Sequence, residues 1–152
     1  MSIGSTLVAT KGGWTATVLR LVLGIVMFPH GAQKVLGWFG GYGFEGTMGF
    51  FTGTLHIPAV FAFLAIAAEF GGSLLQIAGA ATRLAALGIG VTMVVAALKV
   101  HVGNGFFMNW SGSQAGEGFE YHILAAGIAL ALLIAGGGKA SVDEVLAKKG
   151  EG

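Results

Sequence analysis

The stretch Arg20-Leu21-Val22-Leu23-Gly24-Ile25-Val26-Met27-Phe28-Pro29-His30-Gly31-Ala32-Gln33-Lys34 decides how this chain is read. It is apolar at the length of a membrane span, yet it holds an arginine, a histidine and a lysine. A charge left alone in hydrocarbon is expensive, so such residues turn toward a bundle interior, find partners and mark candidate functional sites.

Outward from that stretch, the first apolar segment runs from about Trp14 to Leu36. Three more follow, at about Pro58 to Ala78, Leu84 to Val102 and Phe119 to Gly136. Each approaches the roughly 20 residues a spanning helix needs. The later segments carry Glu69, then Lys99 and His101, then Glu120 and His122. The composition, 55% hydrophobic and 10% charged with a mean hydropathy of +0.81, excludes an ordinary soluble domain. The expected fold is all-α: an antiparallel four-helix integral membrane bundle in which residues 1–152 form a single membrane domain. The fourth span is short, so either it begins a few residues earlier or the bilayer thins around it.

Several function classes drop out. With no cysteine there are no disulfides, thiolate metal sites or dithiol chemistry. A net charge of +1, with no basic surface interleaved with aromatics, argues against nucleic acid. No helix-borne H-x-x-x-H pattern is present, so no metal site is expected. The N-terminus lacks a signal-peptide pattern, and the first segment is expected to remain as an anchor.

Orientation follows from the basic residues near span ends. Lys11, Arg83, Lys139, Lys148 and Lys149 fall on the side holding both termini, against Lys34 and Lys99 on the other. Both termini are therefore expected in the cytoplasm, with the protein multi-pass in the cytoplasmic membrane. Gly136-Gly137-Gly138 stops the fourth helix, and Ser141-Val142-Asp143-Glu144 fits a capping box opening a short cytoplasmic helix.

At about 100° per residue, Arg20, Gly24, Gly31 and Lys34 share one face of the first helix, with His30 at its edge. Glu69, Gly72, Gln76 and Gly79 share an arc of the second. The third aligns Gly88, Thr92 and Lys99, and the fourth aligns Glu120 with Gly127. Small residues let membrane helices approach closely, so these stripes are expected to face inward. Lys99 and His101 point about 200° apart, as do Glu120 and His122, and Lys99 and Glu120 are expected to be the inward members. At about 1.5 Å per residue, His30, Lys34, Lys99, His101, Glu120 and His122 lie toward the outer half, with Glu69 near the midplane and Arg20 and Arg83 on the cytoplasmic side. Pro29 removes a backbone hydrogen bond beside His30, and a kink is expected there.

Motif pieces recur along the chain: Leu19-Arg20-Leu21-Val22-Leu23-Gly24, Phe28-Pro29-His30-Gly31-Ala32-Gln33-Lys34, Glu69-Phe70-Gly71-Gly72, Gly79-Ala80-Ala81-Thr82-Arg83, Glu120-Tyr121-His122, and Gly136 to Asp143. In this order and spacing they resemble the DoxX family of small bacterial and archaeal membrane proteins, over about Arg20 to Leu146. The resemblance implies a four-helix membrane protein. Some relatives are subunits of a thiosulfate:quinone oxidoreductase, and others associate with soluble detoxifying enzymes, among them a superoxide dismutase and a sulfurtransferase. The motif positions it carries over are Arg20, His30, Lys34, Glu69, Gly72, Arg83 and Glu120.

The leading expectation is a subunit or anchor of a membrane redox complex, with a pocket for a quinone or similar lipophilic ligand in the outer half. Such a site needs apolar walls, donors to the ring oxygens and a titratable relay. His30, Lys34 and Glu69 would serve as donors and relay, and Arg20, Lys99, His101, Glu120 and His122 as further ligand contacts. Aromatics of Trp38 to Phe51 and Phe106 to Trp110 would form the walls. Haem held by two of His30, His101 and His122 is a less favoured variant. No side chain here is itself a redox centre, so electrons must come from a cofactor or a soluble or membrane partner protein. Membrane lipid is an expected partner, and a homo-oligomer is compatible with the sequence. Two other classes stay open: a non-catalytic anchor for soluble enzymes, whose polar network only fixes helix pairing, and a small proton or solute pathway.

Phe44, Met48, Phe51 and Leu55 recur at helical spacing, so the first outer loop is expected to hold an amphipathic segment, read as an interface anchor or a lid. Trp14, Trp38 and Trp110 read as interfacial anchors.

Overall fold

A computed structural model describes residues 8–150 of the chain; the expectation about a signal peptide falls in part on residues 1–7, outside the described residues. Six helices and no strand are present among the described residues: α1 (Gly13–Val35), α2 (Gly43–Gly49), α3 (Ala59–Ala78), α4 (Thr82–Ala96), α5 (Glu120–Ala135) and α6 (Val142–Lys149). Two π-helical turns extend them, Phe50–Thr54 after α2 and Ala97–His101 after α4.

Three helices are long and apolar enough to cross a bilayer: α1, α3, and α4 with its extension to Asn104. The 16 residues of α5 span only about 24 Å at 1.5 Å per residue, against a hydrocarbon core of roughly 30 Å. Its helix does not begin earlier than expected, because Phe119 is its N-cap. Glycines in the left-handed region end the spans at Gly37 and Gly79, where φ is 71° and 67°. α1 continues as one helix through Pro29.

The four long helices close a ring in the order α1, α3, α4, α5, each neighbour antiparallel to the next. Leu23, Met27, Ala86, Ile89, Met93, Ala129 and Leu132 fill the centre. Gly31 sets the closest approach: a Cβ there would lie 2.5 Å from Phe70 Cα and 2.7 Å from Phe70 N. The backbones of α1 and α3 therefore touch, which is what a small-residue stripe provides in a membrane bundle. Gly24 repeats the contact lower down, its absent Cβ only 2.9 Å from Ser73 O. The expected stripes on α1 and α3 are both present, with Arg20, Gly24, Gly31, Glu69, Gly72, Gln76 and Gly79 all buried.

On α4 and α5 the expected phase requires correction. The buried arc of α4 runs through Thr82, Ala85, Ala86, Ile89 and Met93, and that of α5 through His122, Ala125, Ala129 and Leu132. Lys99 and Gly127 are exposed. On α4 the cause is the π-turn, which adds about one residue to a turn. His101 consequently occupies the place an uninterrupted helix would give the seventh residue after Met93, on the core side, and Lys99 is carried out of the bundle. Regular periodicity, applied across Ala97–His101, gives the opposite pair.

The end of the bundle that holds both described chain ends is sewn together by polar groups. Arg20, 2% exposed, donates from Nε to Gly137 O (2.9 Å), from Nη1 to Gln76 O (3.0 Å) and Ile77 O (2.6 Å), and from Nη2 to Ala140 O (2.6 Å). The Asp143 carboxylate accepts the N–H groups of Ala81 (2.8 Å) and Thr82 (2.9 Å), capping α4 from the tail. Arg83 donates to Ala9 O and Leu133 O. The capping box forms: Ser141 Oγ accepts the Glu144 N–H at 3.1 Å, while Glu144 Oε2 accepts that of Ala140 at 3.0 Å.

Candidate functional site

At the opposite end, Gly31 brings the last turn of α1 against Glu69 and Phe70 of α3. One turn beyond, the Lys34 ammonium lies 2.5 Å from Glu69 Oε2. The two side chains are unequally covered, 23% exposed for Lys34 and 5% for Glu69, so the carboxylate is buried and the ammonium reaches it from the rim. Apart from this ion pair, Oε2 accepts no hydrogen bond among the described residues. Lys34 Nζ also donates to His30 O at 3.4 Å. An ammonium thus held by one carboxylate and one carbonyl keeps donor capacity for a third group.

Lys34 borders a cleft of about 240 Å³, lined also by Gln33, Tyr42, Thr47, Phe50 and Phe51. The cleft exists because the first loop is helical, as its spacing predicts: α2 and its π-turn fold over the end of α1 and supply the aromatic wall. Gly41 packs against the backbone of Gln33, and Gln33 Nε2 donates to Phe39 O at 3.2 Å, tying the loop to the helix end. The result is an apolar slot with one cation and one amide at its edge.

Beside the ion pair runs a row of rings from α1 across α5 to the α4 π-turn. His30 and Tyr121 have centroids 5.9 Å apart, Tyr121 and His122 5.6 Å, and His122 and His101 4.1 Å. His101 Nδ1 lies 2.8 Å from Glu117 O in the second outer loop. His122 is buried, and its Nδ1 has no hydrogen-bond partner among the described residues. A buried polar nitrogen without a partner needs a reason, such as a water, an ion or a ligand. Tyr121 Oη donates to Met27 Sδ at 3.4 Å, a weak bond that leaves the hydroxyl open to a better partner.

The residues expected at the site are thus divided by the fold. His30, Lys34 and Glu69 come together, and His101 and His122 join them through Tyr121. Arg20 does not: it is at the far end of the bundle, with its guanidinium spent on helix-terminal carbonyls. Lys99, expected inward, is exposed and forms no ion pair among the described residues. Glu120, expected to balance a buried lysine, instead accepts the Met108 N–H at 2.8 Å and pins the second outer loop. His101 and His122 are in ring contact and fill the space that a haem plane between them would occupy. The sequence reading did not single out Tyr121, Thr47 or the capping role of Asp143. Only the adjacency of Tyr121 to His122 offered a signal.

Comparison with known proteins agrees with this architecture. The family model described as DoxX matches residues 15–102, which cover α1 to the end of the α4 π-turn. A protein of Bacillus subtilis (strain 168) named "Putative oxidoreductase CatD" is 32% identical over 115 residues, spanning 76% of this chain and 75% of that protein. No solved structure matches. With three helices able to cross a bilayer, a fourth apolar helix closing the ring, and a family match over more than half of its length, this chain belongs to the DoxX family of membrane proteins.

Proposed function

We propose that this protein is a redox subunit of the cytoplasmic membrane whose outer cleft receives the head group of a quinone-type ligand. The observation that carries the reading is the Lys34–Glu69 pair at the edge of an aromatic cleft. A quinone ring is flat and apolar with an acceptor oxygen at each end, so it needs a slot and a donor. Phe50, Phe51 and Tyr42 offer the slot, and Lys34 and Gln33 offer the donors. At about 240 Å³ the cleft is smaller than a typical drug-sized pocket and suits one ring, with the isoprenoid tail left in lipid.

Reduction of a quinone to a quinol takes two electrons and two protons. The electrons come from a partner protein or cofactor, since no side chain of this sequence is a redox centre. For the protons, the ion pair adjoins His30, and the row Tyr121, His122 and His101 leads to the carbonyl of Glu117 in the outer loop. The name of the Bacillus relative agrees with a redox role. The charge distribution favours both termini in the cytoplasm, because Lys11, Arg83, Lys139, Lys148 and Lys149 gather at the termini end. The cleft then faces the outer half of the membrane.

A photoactivatable short-tail quinone tests the location. After irradiation in nanodiscs, label on peptides holding Lys34, Tyr42, Phe50 or Phe51, displaced by unlabelled quinone, is expected. Label spread over the lipid-facing surfaces, or no displacement, favours the non-catalytic anchor.

A further inference from the structure

We infer that the termini end of the bundle holds a binding site for the phosphate headgroup of an anionic phospholipid, independent of the quinone reading. Its depth is fixed by Trp14. This residue is 62% exposed in the first turn of α1, where an indole marks the level of the lipid headgroups. Lys139 Nζ lies over that ring, 6.0 Å from its centroid, so its ammonium is held at headgroup level.

Between Lys139 and the strand of chain entering α1 is a second cleft of about 240 Å³, lined by Thr10, Lys11, Gly13, Gly138, Lys139 and Glu144. Its walls are built. Gly138 N donates to Thr10 Oγ1 at 2.5 Å, Lys139 N to Gly13 O at 3.1 Å, and Thr17 Oγ1 to Lys139 O at 2.6 Å. The backbones of the two sides are thereby clasped, while Lys11 and Lys139 are exposed and form no ion pair among the described residues. The one carboxylate in the cleft, Glu144, is already engaged by Lys148 at 2.9 Å and by the Ala140 N–H. The cleft therefore offers two uncommitted cations to an anion.

The neighbouring helix argues that the anion belongs to a lipid. On α6 the apolar residues Val142, Val145 and Leu146 are 45%, 52% and 48% exposed, and at 100° per residue they share an arc with Lys149. Asp143, on another side, is 1% exposed and bonded to the start of α4, so α6 is held at the end of the spans with that arc turned outward. A short helix so held, apolar on its outer arc and basic at its end, suits the membrane surface. Its neighbouring lysines complement anionic headgroups.

Native mass spectrometry of the full chain from mixed micelles of phosphatidylglycerol and phosphatidylcholine tests this. The wild type is expected to retain phosphatidylglycerol selectively. At roughly fivefold per lysine, Lys11→Gln with Lys139→Gln should weaken retention about thirtyfold. Lys139→Arg, which keeps the charge, should preserve it, as should Lys99→Gln at the other end. Circular dichroism and thermal unfolding establish that each variant is folded; if the double variant is not, Lys139→Gln alone is read and should weaken retention about fivefold. Equal retention of both lipids by the wild type, or unchanged selectivity in the glutamine variants, overturns the proposal. Binding of inorganic phosphate without any phosphatidylglycerol preference also overturns it, in favour of a free-anion site.

Discussion

Lys34 of α1 and Glu69 of α3 meet at 2.5 Å because Gly31, one turn before Lys34, lets the two helix backbones touch beside Phe70. A glycine contact thereby sets the position of a charge pair, and the consequences can be measured separately.

Removing one charge leaves the other buried. Lys34→Met is expected to destabilise the protein toward the lower end of the roughly 3–5 kcal/mol typical of a broken buried pair, because Lys34 is partly exposed. Lys34→Met with Glu69→Gln should recover much of the loss. Thermal unfolding of the four members of the cycle in one detergent gives the coupling, and strictly additive losses would show that the pair does not interact.

Gly31→Ala would place a Cβ 2.5 Å from Phe70 Cα, a backbone atom that cannot swing aside. The helices must separate, with a cost at the upper end of the roughly 1–3 kcal/mol of overpacking. Gly71→Ala, where a Cβ meets nothing within 4 Å, is expected to be neutral or to stabilise α3 by up to about 1 kcal/mol. Equal melting temperatures for the two variants would refute the close approach.

Asp143→Ala removes both acceptors from the start of α4 and the carboxylate that faces the Arg20 guanidinium. A loss of about 1–2 kcal/mol is expected. Faster hydrogen exchange at Ala81 and Thr82 should accompany it. Unchanged exchange at both amides would rule out the cap.

The hydrogen bond from Lys148, aided by that from Ala140 N–H, holds the Glu144 carboxyl below its ordinary range. A carboxyl with its folded pKa lowered contributes stability that is present above the unfolded pKa and lost as pH falls through the folded one. Acidification through and below the ordinary carboxylate range should therefore loosen the Ala140 to Lys149 segment. Amide chemical shifts of α6 followed against pH test this, and Glu144→Gln should abolish the step.

How much of this was legible in the sequence depends on helical regularity. On α1 and α3, unbroken helices, 100° phasing put Arg20, Lys34 and Glu69 on the correct faces and yielded the ion pair. On α4 the same arithmetic failed at one π-turn, which no residue type announces, and exchanged Lys99 for His101. On α5 the glycine stripe misled, because Gly127 is exposed and the buried arc is carried by His122 and alanines. Arg20 was correctly buried, but its carbonyl partners come from a helix end and a loop, which side-chain patterning does not register. The aromatic cleft was half legible: the spacing of Phe44, Met48, Phe51 and Leu55 gave a helix, whereas its fold back over Lys34 depends on the turn at Gly37 to Gly41.

The central claim is that Lys34, held by Glu69, serves a quinone-type ligand. Its most direct test is titration of a short-tail ubiquinone analogue into the protein in nanodiscs, followed by quenching of tryptophan emission. Saturable binding is expected for the wild type, with at least about tenfold weaker binding for the folded Lys34→Met, Glu69→Gln double variant, the loss of one hydrogen bond to a charged donor. Non-saturable quenching in the wild type, or equal affinity in the double variant, would contradict the account.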